Sequence, residues 1–423
     1  MAQPTSTPDA LREPTVRVNG LFLAGLAVAN LGIMLAFFTP ILNLLPRLSE
    51  EIAGASGKEA ALAVVTGVGV IGSVIGNPLA GALSDRTTSR FGRRRPWILG
   101  GSLLGLVGLI LMPHMTTVFT LTVLWLVVQF AVNSAYAGLT ATVPDQVPVD
   151  QRGLASGLIG LAQAIGPVIG VGLVTYVILS IDGGSYVTAV LFVLFVLPFI
   201  FILKDPPLPK EDRPPFQLGP FLKGFWVSPR EHPDFGWAWL ARFLVSLGFA
   251  MATLYLLFFL QDHLDFPPEQ AGQQQTTLLL IYTLGMVLTA VLGGWISDRS
   301  GRRKIFVVTA TIVMAIAGVI LAFVPADTAG FGIAMLAAVV LGIGYGWYLG
   351  VDQALITQVL PNPDDRARDL GVINIANSMP QVLAPVLCAL FVTELGGYTS
   401  LYLATAIITL LGALAVIPIR SVR

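Results

Sequence analysis

The sequence predicts an all-α integral membrane protein: twelve transmembrane helices arranged as two pseudo-symmetric six-helix bundles. Three observations carry this. Of 423 residues 55% are hydrophobic and 11% charged, where an average soluble domain carries roughly 25% charge, too few charges to cover a soluble surface of this size. Apolar runs of spanning length recur along the chain. The second half of the chain then repeats features of the first at a nearly fixed offset.

A bilayer core takes about 20 mostly apolar residues per helix. Segments of that kind fall at 20–45, 60–84, 97–115, 118–143, 154–179 and 185–203, and again at 237–261, 274–297, 304–324, 331–359, 370–393 and 399–419. This gives a polar N-terminal tail over 1–19, a first bundle over 20–203, a linker over 204–236, a second bundle over 237–419 and a short tail over 420–423. Residues 1–19 lack the basic start, apolar core and cleavage site of a signal peptide, so insertion is expected to begin with the first span. Gly72 and Gly76, and likewise Gly153 and Gly157, sit four apart as expected helix-contact faces. Within the linker, Phe221, Phe225 and Trp226 with Lys223 form a stretch suited to lying on the membrane surface.

Orientation follows from the basic residues. Of 24 Lys and Arg, 21 fall in the segments on one side, only Arg47 and Lys58 in the loops on the other, and Arg242 lies within the seventh span. Basic residues gather on the cytoplasmic side, so both termini and the linker are expected there, in a cell membrane with multiple passes.

The same inventory excludes other classes. Acidic and basic residues balance at 24 each, which gives no reason to expect a nucleic-acid partner. One cysteine, Cys388, and three scattered histidines, His114, His232 and His263, offer no disulfide and no metal-ligand spacing. No catalytic triad pattern appears, and glycine-rich strings inside apolar helices with no preceding strand are not phosphate loops. Neither an enzyme nor a cofactor-binding protein is expected.

The repeat is specific. GALSDRTTSRFGRRR at 81–95 matches GWISDRSGRRK at 294–304, with Asp85 and Asp298 in equivalent places. Tyr136, Gly138, Gln146 and Val147 recur as Tyr348, Gly350, Gln358 and Val359. Duplicated helical halves characterise transporters that rock two bundles about a central site. The paired motif, comprising Gly81, Asp85, Arg86, Gly92, Arg93 and Arg94 in one copy and Gly294, Asp298, Arg299, Gly301, Arg302 and Arg303 in the other, resembles the signature of the major facilitator superfamily. The longer wording SDRTTSRFGRRRPWI, with FFTPIL in the first span, resembles the glycoside-pentoside-hexuronide and sucrose-transporter branch. The resemblance implies a secondary transporter working by alternating access. It also implies that the motif aspartate caps a neighbouring helix N-terminus across the two halves and holds the cytoplasmic side shut. Simple anchoring by the arginines is the competing account.

Ionisable groups deep in a span are costly and point to function. Two lie well inside: Asp352, about 12 Å from the cytoplasmic end of its helix at 1.5 Å per residue, and Arg242, near enough to its span's end to snorkel outward. Tyr345 and Tyr348 share the helix face of Asp352. A carboxylate removed from water is held more easily neutral than charged, as a proton carrier requires. The alternative is a structural pair between Asp352 and Arg242. Uncharged polar groups fill out the spans: Gln129, Asn133 and Tyr136 at helical spacing in the fourth, Asn374, Asn377 and Gln381 in the eleventh, and Asn30, Gln163 and Tyr282 singly. Amides pair with hydroxyls and aromatic rings cover apolar sugar faces, so the set suits a neutral polyhydroxylated solute. Each residue also has a plain role as interhelical glue. Some members of the resembled branch that couple to sodium carry acids in span two. No acid lies between Glu59 and Asp85 here, so protons are the expected ion. The rival reading is a proton-driven exporter, because AQAIGPVIG in span five, with Gly166, Pro167 and Gly170, partly matches an antiporter motif.

Overall fold

The computed structural model describes residues 14–213, 228, 230–300, 302–359 and 366–420; among these, the side chains at 212, 291, 294, 295, 298, 353, 354, 357, 358 and 366–374 are not described. The proposed surface segment around Phe221–Trp226 lies outside the described residues. Twelve long helices follow one another: α1 (Gly20–Ala53), α2 (Lys58–Ser84), α3 (Arg95–His114), α4 (Val118–Gln146), α5 (Val149–Ile178), α6 (Ile181–Ile202), α7 (Pro233–Leu254), α8 (Pro268–Ser300), α9 (Arg303–Ala322), α10 (Phe331–Val359), α11 (Arg366–Thr393) and α12 (Gly397–Val416). Among the described residues eleven are long and apolar enough to cross a membrane. The twelfth expected span, 274–297, falls within α8, a 33-residue helix that includes four of the undescribed side chains. Among the described residues no strand occurs.

Local chemistry sets the helix ends. Asn19 accepts the backbone N–H of Phe22 at 2.9 Å and starts α1; Thr117 and Ser180 do the same for α4 and α6. Each satisfies one of the orphan donors of a first helical turn. Pro40, within FFTPIL, opens a π-helical stretch over Pro40–Leu44 inside α1. A proline has no N–H to give the preceding turn, and α1 runs on past it to Ala53.

Two compact units divide the chain: Met1–Leu44 with Val68–Phe216, and Leu45–Gly67 with Gln217–Arg423. The C-terminal end of α1 and the N-terminal end of α2, within Leu45–Gly67, thus join the second unit, although they precede it in sequence. In the first unit α1 packs on α5 and α6, and α3 on α4 and α6. In the second α7 packs on α11 and α12, and α9 on α10 and α12. The pairing scheme is the same in both, as a duplicated sequence requires.

Glycine contacts separate two expectations. A Cβ at Gly72 would stand 2.4 Å from the Leu126 carbonyl, and one at Gly76 2.9 Å from that of Phe130. These two positions let α2 approach α4 to backbone distance. Gly153 and Gly157 do not form the expected contact face: a Cβ at either would meet nothing within 4 Å. Their face of α5 is exposed, so spacing alone misassigned them.

Candidate functional site

Helices α7, α8, α10 and α11 bring together the polar residues of the second unit. Asp352 and Arg242 meet: Nε of the arginine lies 3.4 Å from Oδ2 of the carboxylate, with side chains only 7% and 13% exposed. Arg242 therefore turns inward instead of snorkelling to the interface. The reason lies across the helix contact, where the same Nε donates to Asn377 Oδ1 at 2.9 Å. Ser246 Oγ donates to that oxygen at 3.4 Å. One amide oxygen and one carboxylate thus share a single guanidinium edge.

Aromatic rings stand beside this pair. Tyr345 stacks on Phe249 with centroids 4.0 Å apart and planes 6° from parallel. Tyr282 tilts against both rings at 5.8 and 6.3 Å, and Tyr348 lies 6.3 Å from Tyr345. Tyr282 donates to the Met286 sulfur at 3.1 Å. Phe249 belongs to this cluster but was not singled out, since an apolar residue in an apolar span carries no distinguishing signal.

The first unit gathers amides without charge. Asn133 donates to the Gln129 backbone carbonyl at 2.8 Å and to its side-chain oxygen at 3.3 Å, and both residues are buried. Tyr136 accepts from Gln163 Nε2 at 3.1 Å, joining α4 to α5, and packs edge-on against Phe37 of α1. Asn30 is fully buried and returns its amide N–H to Leu26 O at 2.8 Å. Gln381 is exposed on α11. Asn374 lies outside the described side chains. Gly166 and Gly170, in the antiporter-like stretch, sit against Met34 and Thr39 of α1 and serve helix packing.

The motif between α2 and α3 is a dense charge cluster within the first unit. Arg94 reaches Asp85 at 2.6 Å and Asp145 at 2.8 Å, while Arg93 reaches Asp145 at 3.2 Å. Burial works against the charge on Arg94, but Asp145 and Asp85 outweigh it and hold the guanidinium more firmly protonated than usual. Asp85 is half exposed. The start of α3 is capped by Asp205, just past α6, whose Oδ2 accepts the backbone N–H of Arg94 at 2.6 Å and of Arg95 at 2.9 Å. Gly92 has φ +103°, and a Cβ there would come within 2.2 Å of the Asp205 carboxylate. Only glycine meets both conditions. Gly81 by contrast faces open space. Arg86 donates to Ala82 O at 2.5 Å. In the second copy Arg299 and Arg302 are exposed and Arg303 half-buried, while Gly294, Asp298 and Gly301 lie outside the described side chains.

Asp145 and Asp205 went unremarked in the sequence. Each sits at a span end, where an acid looks merely solvated; only the fold shows both turned onto the motif. Lys58 was likewise counted only as an external charge. It is 3% exposed, pairs with Asp262 at 2.6 Å and lies 3.8 Å from Glu50. The other oxygen of Asp262 accepts the Tyr398 hydroxyl at 2.7 Å.

The family model described as Major Facilitator Superfamily matches residues 18–275 and 270–423. The chain belongs to that superfamily. Among curated relatives, the uncharacterized MFS-type transporter YddS of Bacillus subtilis is 23% identical over 84% of this chain and 81% of its own. A general alpha-glucoside permease of Schizosaccharomyces pombe is 29% identical over 36% of this chain and 30% of its own. The uncharacterized symporter sll1374 of Synechocystis is 55% identical over a short stretch, 11% of this chain and 9% of its own. Two crystal structures of the nucleoside transporter NupG, one of a point mutant, superpose with TM-scores of 0.74 and 0.71 at 15% and 14% identity. They cover 94% of this chain and 99% and 98% of theirs, and establish the shared fold. This superfamily member is a multi-pass membrane transporter of small solutes.

Proposed function

We propose that this transporter is a proton-coupled symporter of a sugar or glycoside working by alternating access, with both termini cytoplasmic. The observation that carries the reading is the buried Arg242–Asp352 pair, 3.4 Å apart and tied to Asn377. The carboxylate of Asp352 faces a guanidinium edge that it shares with a neutral amide. Protonation of Asp352 releases Arg242 to Asn377 and to an incoming hydroxyl; deprotonation restores the pair. In the second unit the rings of Phe249, Tyr345 and Tyr282 form an aromatic cluster of the kind that covers the apolar face of a sugar ring. In the first unit Gln129, Asn133, Tyr136 and Gln163 carry donors and acceptors of the kind that pair with hydroxyls. The partial match to an alpha-glucoside permease agrees with that substrate class.

The test is uptake of a labelled disaccharide panel into proteoliposomes, with and without an inward proton gradient. Wild-type protein should accumulate substrate only with the gradient. Asp352→Asn mimics the protonated carboxylate, so it should lose accumulation and keep exchange at equal pH. Full accumulation by that variant excludes Asp352 as the carrier. Gradient-driven efflux instead of uptake would make the protein an exporter.

A further inference from the structure

We propose that the arginine-bearing end of α3 holds one anionic phospholipid of the surrounding bilayer. Two grooves flank this end of the helix and meet at Pro96, all within the first unit. One, of about 430 Å³, runs between α3 and α4 and is lined by Trp97, Gly100, Gly101, Leu104 and Phe130. The other, of about 440 Å³, runs between α3 and α6 and is lined by Phe91, Arg95, Leu99, Ile200 and Phe201. Both are chiefly apolar, and Phe91 and Phe201 stand 58% and 82% exposed at the second. On the outer face of a membrane helix, what fills an apolar groove is an acyl chain. Two grooves sharing one rim residue suit the two chains of one lipid.

The charge at the rim selects the headgroup. Asp85 and Asp145 are taken up by Arg93 and Arg94, and Asp205 caps the first turn of α3. Among the described residues no carboxylate pairs with the guanidiniums of Arg90 and Arg95, although the Arg95 backbone N–H is held by Asp205. Arg90 lies over the Phe91 ring, 4.8 Å from its centroid, and Arg95 donates to the Leu203 carbonyl. Two guanidiniums without a counter-charge, set above apolar grooves, call for a ligand that is anionic at one end and apolar at the other. Basic pockets between helices on the positively flanked side of a membrane protein have this preference for anionic headgroups. A free anion would answer the arginines and leave the grooves unfilled.

The full chain, purified in detergent, is melted with added phosphatidylglycerol, with phosphatidylcholine of the same chains, or with inorganic phosphate, and retained lipid is counted by native mass spectrometry. Phosphatidylglycerol should raise the midpoint saturably with one lipid retained, and the other two should not. Arg90→Ala should weaken the phosphatidylglycerol response about five-fold, the worth of one basic residue near a membrane surface. Leu99→Trp, which fills one groove and alters no charge, should weaken it as well and serves if the arginine variant fails to fold. Equal stabilisation by both lipids overturns the proposal, as does an unchanged response in the variants. Stabilisation by phosphate alone overturns the lipid and leaves an anion site.

Discussion

At the Arg242 guanidinium, the carboxylate at 3.4 Å and the amide oxygen at 2.9 Å compete for one N–H, and the amide holds the better geometry. Their unequal worth is measurable. Asn377→Ala removes a neutral acceptor and should cost about 1–2 kcal/mol in the stability of the purified protein. Arg242→Ala strands a buried carboxylate, and breaking such a pair from one side costs about 3–5 kcal/mol unless the carboxylate neutralises. Equal losses in the two melts would mean that the ion pair contributes little beyond the amide contact. A second residue-level case is Gly92. Alanine there meets both the positive φ and the Asp205 carboxylate, so Gly92→Ala should cost about 2 kcal/mol or more. A melt within about 0.5 kcal/mol of wild type would show that the loop and Asp205 can move apart freely.

Among the elements, length and apolarity made nearly every span legible, because a bilayer asks little else of a helix. The π-helical stretch at Pro40–Leu44 left only its proline as a sign. Depth along a helix singled out Asp352, since it needs only a count of residues. Which partner Arg242 takes depends on how α7, α10 and α11 cross, and no local pattern encodes that. The same limit hid Asp205 from the motif and Lys58 from Asp262. The last of these ties Leu45–Gly67 to the second unit through an ion pair, a tyrosine hydroxyl and the Phe258 ring 4.8 Å from Lys58 Nζ. Lys58→Met should therefore lower stability by about 2 kcal/mol, moderated because Asp262 keeps some access to water. Asp262→Asn should do the same, and the double variant should cost less than the sum. Additive losses in that cycle would place the two residues in separate interactions.

For the whole molecule, the question is what the duplicated motif does. Both bundles carry it, and an anchoring role needs only its arginines, which gather on one side with most other basic residues. The aspartate is the part that anchoring does not require. In the first copy Asp85 sits half exposed on Arg94, which already has Asp145 as a second carboxylate. Asp85→Asn therefore leaves Arg94 paired and Asp205 capping α3, so expression and thermal stability should stay close to wild type. The shared electrostatic hold on Arg94 loosens, and if that hold belongs to the gate, the balance between the two access states must shift. Single cysteines placed near either end of α2 in a Cys388→Ser background would report this. Labelling should rise on the arginine-bearing side and fall on the other, by several-fold where Asp85 biases the states by about 1 kcal/mol. Unchanged labelling on both sides, with normal expression, would remove Asp85 from the gate and leave the arginines as membrane anchors.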